Sequence, residues 1–221
     1  MCEWYEKGIG LSELMDRTEA MVKYVARNVE RVTWNLDDKP FRRLTVEEAM
    51  REYAGIELDA LLGDREKMAT ECLKHHQTVN ETDTWDDLFF KIFLSEVEPK
   101  LGEVPTFLTH YPASMAALAQ RDPNDMRYAL RTELYIGELE LANGFVELTD
   151  ADEQRKRFEE EQALRRSLGK ETWPIDERFM EALPKMGQAA GIAFGVDRLA
   201  MLLTGTKSIS DLMPIPIQER F

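Results

Sequence analysis

Apolar residues recur at helical spacing near the start of the chain. Between Ser12 and about Val32 they stand three or four positions apart, the period of a helix with one buried face. We expect Ser12 to cap this helix. A second helix opens with a T-x-x-E capping box at Thr45, and Gly55 would end it. Further helices are predicted over residues 64–75, 85–97, 152–168, 175–183 and 197–203.

Other segments carry strand patterns. Apolar residues alternate in part over residues 131–141, as on a half-buried strand. The pair Asn143-Gly144 is the strongest short signal for a hairpin turn, so we expect the chain to reverse there and return over residues 145–148. Residues 40–44, 106–111 and 191–196 are also predicted strands. Strands joined by hairpins, with helices alongside, indicate an α+β fold with an antiparallel sheet.

The composition is that of one globular domain. The chain has 221 residues, of which 43% are hydrophobic and 32% charged, so it can form a core without disulfides or a structural metal. We expect a single domain of residues 1–221. Residues 56–100 contain short helical patterns but no chemistry, and we interpret them as a peripheral helical insertion.

Charge and cysteine usage narrow the function classes. The formal net charge is -14, which disfavours binding along the phosphates of nucleic acid. Small basic clusters such as Arg42-Arg43 are interpreted as solvated surfaces. The two cysteines, Cys2 and Cys72, lack metal-ligand spacing and suggest a reducing, cytoplasmic compartment. We find no pattern for a membrane span or signal peptide.

The segment ELANGFVELTD, residues 140–150, contains the first candidate site. Glu140 and Glu147 stand on either side of Asn143-Gly144, and a hairpin or bulge between them would let both carboxylates converge. Two carboxylates with the Asn143 amide would suit Mg²⁺, which is usually bound together with phosphates. Alternatively, both glutamates are ordinary solvent-facing strand residues.

A second candidate lies where the strand over residues 191–196 runs into a helix. Gly195 would allow a flat ring to approach the backbone, and Arg198 in the first helical turn could stack on a base or bind a phosphate. The segment is neither a Rossmann fingerprint nor a P-loop. A glycine-rich strand packed against a helix, with Arg198 paired to a local acid, explains the pattern equally well.

Two further residues have weaker signals. Ser114, in a small-residue stretch that leaves room for a ligand, has no G-x-S-x-G context, which argues against a serine hydrolase. His110 has no partner pattern and is interpreted as an ordinary strand residue.

Taken in order, these segments resemble a known family. GIAFGVDRLAMLL (residues 191–203) is similar to motif 3 of class II aminoacyl-tRNA synthetases, and ELANGFVELTD to the lysyl-type segment before it. CEWYEKG (residues 2–8) looks like the second strand of motif 2. Within the lysyl group, Glu3-Trp4-Tyr5, THYPAS and LANGF most resemble the paralogue that ligates lysine or β-lysine to elongation factor P.

The resemblance implies a fold, a reaction and site residues. The fold would be an antiparallel sheet flanked by helices that holds ATP, and the reaction would form an aminoacyl adenylate for transfer to a lysine of elongation factor P. Glu140 and Glu147 would hold Mg²⁺ and, with Arg198, form the catalytic set. ATP would contact Glu140, Leu141, Asn143, Gly195 and Arg198, and the amino acid would contact Glu3, Tyr5 and Glu147.

The same resemblance predicts that the chain is N-terminally truncated. Motif 1, which builds the dimer interface, and the first strand of motif 2 with its Arg-x-Glu have no counterpart here, so we expect weak or no adenylation by this chain alone. The full-length form would be a homodimer. Two alternatives stay open: a lysyl-tRNA synthetase core, although tRNA is a less expected partner, and a non-catalytic paralogue.

Overall fold

The fold is built on one mixed sheet. The computed structural model of the chain describes residues 1–29, 36, 39–116 and 118–212. Its strands are β1 (Cys2–Lys7), β2 (Arg42–Thr45), β3 (Thr106–Pro112), β4 (Arg121–Asp122), β5 (Asp125–Ile136), β6 (Leu139–Val146) and β7 (Ala189–Phe194). They are ordered β1-β7-β6-β5-β3-β2, with β4 beside β5. Only the β2–β3 pair among them is parallel, which confirms the predicted α+β fold with a largely antiparallel sheet.

Seven α-helices accompany the sheet in the described residues. They are α1 (Leu11–Asn28), α2 (Val46–Ala49), α3 (Arg65–Lys74), α4 (Trp85–Ile92), α5 (Ala151–Ser167), α6 (Glu177–Met186) and α7 (Val196–Thr204). Helices α2 and α4 continue as single π-helical turns at Met50–Ala54 and Phe93–Val97. Short 3₁₀ turns lie at Leu58–Ala60, Glu98–Lys100, Ala113–Met115 and Ile209–Leu212.

Local capping signals explain several helix ends. The predicted capping box at α2 is present, because the Glu48 amide donates to Thr45 Oγ1 at 3.1 Å and the Thr45 amide donates to Glu48 Oε2 at 2.8 Å. Gly55 ends the following turn with a φ of 69°, a conformation that favours glycine. The prediction for α1 is wrong by two residues. Its cap is Gly10, whose amide donates to Glu13 Oε2 at 3.1 Å, and Ser12 lies inside the helix. The predicted end at Val32 lies outside the described residues.

Two apolar cores lie on opposite faces of the sheet. Helices α1 and α7 pack on one face, against side chains such as Phe107 and Phe194. The helices of residues 46–101 pack on the other face, against side chains such as Leu108 and Tyr135. These helices cover the β2–β3–β5 side of that face. That residues 56–100 form a peripheral insertion stays a prediction.

The predicted hairpin turn at Asn143-Gly144 is wrong. The chain reverses at Gly137, whose φ is 62°, and Gly144 lies within β6 between β5 and β7. A side chain at Gly144 would come within 2.8 Å of the Gly191 carbonyl oxygen and the Ile192 side chain. Glycine is therefore required there by the close approach of two strands and not by a turn.

Candidate active site

Most of the residues predicted from the sequence lie on one face of the sheet. Trp4 packs in the core beneath β1, so its neighbours Glu3 and Tyr5 project from the opposite face. Residues that pair across β1, β7, β6 and β5 form three rows on that face. In strand order, the first row is Glu3, Ala193, Asn143 and Glu133, and the second is Tyr5, Gly191, Phe145 and Arg131. The third row is Lys7, Ala189 and Glu147. Tyr5 is 68% exposed, so this part of the face is open.

A β-bulge brings Glu140 to the same face. Leu134 pairs with Ala142 whereas Tyr135 pairs with Glu140, so Leu141 is an extra residue in β6. Because of this extra residue, the side chain of Glu140 lies on the same face of the sheet as the side chain of Asn143. The bulge that the sequence allowed is therefore present, at Leu141.

Glu140, Leu141, Gly195 and Arg198 meet where β7 runs into α7. Arg198 Nη1 donates to the Glu140 carbonyl oxygen and lies 3.8 Å from Glu140 Oε2. The Gly195 amide donates to the Leu141 carbonyl oxygen at 2.7 Å, and a side chain at Gly195 would meet that oxygen and Arg198 Cδ at 3.3 Å. Burial, followed by the nearby Glu133 charge, raises the pKa of Glu140, and Arg198 opposes this shift.

Glu147 lies at the other end of β6, beside Tyr5 and Gly191. A side chain at Gly191 would come within 2.5 Å of the Tyr5 ring and 3.2 Å of Glu147 Oε1, so all three positions share one small space. Among the described residues, no side chain donates a hydrogen bond to the Glu147 carboxylate and no basic group lies within 4 Å. Burial raises the pKa of Glu147 to about 7.

No hairpin brings Glu140 and Glu147 together, and their convergence on one ion stays a prediction. Glu140 lies near the start of β6, and Glu147 directly follows its last residue, so strand geometry places their backbones roughly 20 Å apart. No group of three potential metal-binding side chains occurs in the part of the chain that the structure describes. The two carboxylates therefore mark two ends of one site.

Asn143 lies between these ends and is held by a buried network. Its Nδ2 donates to Glu133 Oε1 at 3.0 Å, and its Oδ1 accepts from Arg131 Nε at 3.2 Å. Tyr111 and Tyr135 donate to Glu133 Oε2 at 2.6 and 2.7 Å, while Arg131 Nη2 donates to Oε1 at 2.5 Å. The Glu133 carboxylate thus orients Asn143 and Arg131 from beneath the open face.

Sequence reasoning missed Glu133 and Arg131. Both lie in RTELYI, a segment interpreted only as a strand, and Glu133 is 7% exposed. A buried glutamate in an alternating strand is a usable signal, but its partner Tyr111 is 22 positions away and cannot be identified from spacing. Ser114 and His110 show no such role: Ser114 donates to Asp86, and His110 occupies an irregular position of β3 with a φ of 58°.

The charge distribution on the open face defines what it can bind. Glu3, Glu140 and Glu147 present acceptors, and Arg198 presents a cation at the α7 end. An amine would be attracted to the Glu147 end and a phosphate to the Arg198 end. No helix in the described residues combines the length and apolar character that a bilayer crossing requires.

A known protein family matches almost the whole chain. The family model for tRNA synthetases class II (D, K and N) matches residues 1–219. The chain belongs to this family. The α+β sheet is accordingly the core of a class II synthetase domain.

Curated relatives of this class II synthetase domain share a narrower name. The chain is 39% identical over 222 residues to an elongation factor P–(R)-β-lysine ligase of Proteus mirabilis, and the match covers 98% of the chain and 64% of that protein. Ligases of the same name from Haemophilus influenzae and Salmonella paratyphi B are 36% identical over 99% of the chain and 65% of their length. The chain thus spans about 65% of the length of these relatives.

Proposed function

We propose that this domain uses ATP to activate lysine or β-lysine as an adenylate, and that the aminoacyl group passes to a lysine of elongation factor P. The names of the relatives support the acceptor and the amino acid. The observation that carries the proposal is the separation of charge on the open face. Glu147, whose carboxylate has no side-chain partner among the described residues, lies at one end, and Arg198 lies at the other.

The Glu147 end suits an ammonium group. Burial disfavours the ionised carboxylate, so a bound cation would restore its charge and gain a strong, partly desolvated interaction. Tyr5 covers Gly191 beside it and provides an apolar wall for a methylene chain. Glu3 lies two rows from Glu147, in the row of Asn143, and adds negative charge to the middle of the face.

The Arg198 end suits a nucleotide. Glycine at position 195 lets Arg198 lie close to the Leu141 backbone, and Arg198 is there placed to stack on a ring or to bind a phosphate. Mg²⁺ fits here in a limited way. Glu133 already accepts four hydrogen bonds, so Glu140 would be the protein ligand and phosphate oxygens would supply the rest. Mg²⁺ would neutralise charge on the phosphates.

The residues between the two ends would orient the reacting carboxylate. A carboxylate oxygen of the amino acid attacks the α-phosphorus, and the bond to the β-phosphate oxygen breaks with release of pyrophosphate. The amine of the acceptor lysine then attacks the acyl carbon, AMP leaves, and a proton is lost from the new amide nitrogen. Neither step needs a nucleophile from the protein, so positioning by Asn143 and Arg131 and charge stabilisation by Arg198 carry the catalysis.

Transfer to tRNA is the second candidate, because the matching family comprises tRNA synthetases. The net charge of -14 favours the protein acceptor. Free thiols at Cys2 and Cys72 are in keeping with our proposal of a cytoplasmic location.

Pyrophosphate exchange tests the activation step. The product of the native gene is assayed for lysine- and β-lysine-dependent exchange between ATP and pyrophosphate, with alanine as a control amino acid. Exchange with either lysine, followed by labelling of elongation factor P and not of tRNA, is the expected result. Labelling of tRNA alone would favour the synthetase, and Mg-ATP binding without exchange would favour a non-catalytic paralogue.

A further inference from the structure

The position of Glu147 depends on the backbone that holds it, because no described side chain binds its carboxylate. On one side its amide donates to the Ala189 carbonyl oxygen of β7 at 2.9 Å. On the other side an isolated β-bridge pairs Glu147 with Ala119. Two bonds flank this bridge: the Gln120 amide donates to Val146 at 2.8 Å, and the Leu148 amide donates to Leu118 at 3.0 Å. Residues 118–121, which we call the flanking segment, thus hold the backbone of Glu147 on the side opposite β7.

Helix α5 holds the flanking segment in place through Arg157. Arg157 Nη1 donates at 2.9 Å to the carbonyl oxygen of Ala119, the residue that pairs with Glu147. Glu153, one turn earlier, accepts from Arg157 Nε at 3.2 Å and from Arg121 Nε at 3.1 Å. A continuous set of bonds therefore runs from α5 through Ala119 to the backbone of Glu147.

The rest of the contact between α5 and the flanking segment is loose. A cavity of about 530 Å³ lies between them, lined by Leu118, Gln154, Arg157 and Phe158 among others. Gln154 is 1% exposed, yet its amide nitrogen has no hydrogen-bond partner in the described residues. Among the described residues, the polar links from α5 to the segment are therefore Arg157 to the Ala119 carbonyl oxygen and Glu153 to Arg121, and of these only Arg157 reaches Ala119.

We infer that Arg157 is a positioning residue, which fixes Glu147 for binding the substrate ammonium group by holding Ala119. This inference rests on the proposed function. Arg157 lies behind the flanking segment, so its loss changes the placement of Glu147 without removing a substrate contact. The effect should appear in binding of the amino acid and not in binding of ATP, because Arg198 lies at the opposite end of β6.

The test compares Arg157→Met, Arg157→Lys and Gln154→Met in the product of the native gene. For Arg157→Met we expect KM for lysine or β-lysine in pyrophosphate exchange to rise at least tenfold, while KM for ATP stays within twofold. Arg157→Lys should recover most of the loss, because an ammonium can still donate to Ala119. Gln154→Met should match the wild type. Amide hydrogen exchange should speed up over residues 118–121 in Arg157→Met only.

The outcomes separate this inference from the proposed function. Wild-type protein without lysine- or β-lysine-dependent exchange would overturn both. An active wild type whose amino-acid KM is unchanged in Arg157→Met would overturn the inference alone. If Arg157→Met fails to fold, Glu153→Gln decides, because it removes the carboxylate that orients Arg157 and also binds Arg121 of the flanking segment. A severalfold rise in amino-acid KM would then support the inference, and an unchanged KM would refute it.

Discussion

Replacing Glu133 with glutamine should destabilise the domain strongly. The carboxylate is buried and accepts hydrogen bonds from Tyr111, Tyr135, Arg131 and Asn143. Glutamine keeps the shape but removes the charge and turns an NH₂ group toward these donors. Hydrogen bonds to a charged group contribute about 1.5–3 kcal/mol each and are not additive. Removing one partner of a buried ion pair costs about 3–5 kcal/mol. We therefore expect Glu133→Gln to lower the free energy of unfolding by about 3–5 kcal/mol.

Urea unfolding followed by circular dichroism measures this loss. For a chain of this size each kcal/mol corresponds to about 2–4 °C in Tm, so thermal unfolding should shift by roughly 6–20 °C. Glu160→Gln is a matched control, because its carboxylate is exposed and 3.8 Å from Lys156, and such pairs contribute about 0.5 kcal/mol or less. A loss below about 1 kcal/mol in Glu133→Gln, similar to the control, would refute the idea that this carboxylate organises the site.

Three further predictions concern the two ends of the site. Burial raises the pKa of Glu147 to about 7, so the stability that its protonated form contributes is full below pH 4.5 and is lost as the pH rises through 7. The variant Glu147→Gln should therefore resist urea better than the wild type at pH 8. Equal stability of the two at pH 8 would contradict the raised pKa. Gly191→Ala would place a methyl group 2.5 Å from the Tyr5 ring, and we expect amino-acid KM to rise at least about tenfold, that is by about 1.4 kcal/mol, with ATP KM unchanged. Arg198→Met should raise KM for ATP about tenfold or more and leave binding of the amino acid intact, whereas equal losses in both would argue against separate ends.

Features that depend on residues within one helical turn of each other could be predicted from the sequence. The capping box at Thr45 and the terminating Gly55 involve hydrogen bonds between residues three or four positions apart, so the pattern contains both partners. The same holds for the strand-to-helix segment around Gly195 and for the α+β class, which depend on local periodicity. A resemblance carried by a few such segments was enough to predict the class II synthetase family.

Only the tertiary structure decided how β6 is used. Asn143-Gly144 has the composition of a turn, but β5 and β7 pair with it on both sides, and the hydrogen bonds of two strands outweigh a local turn preference. The bulge at Leu141 then places Glu140 on the open face, and the buried Glu133 carboxylate orients Asn143. These arrangements join residues of different strands. The spacing of residues along the sequence does not show which distant positions will bond to each other, so the sequence alone could not predict them.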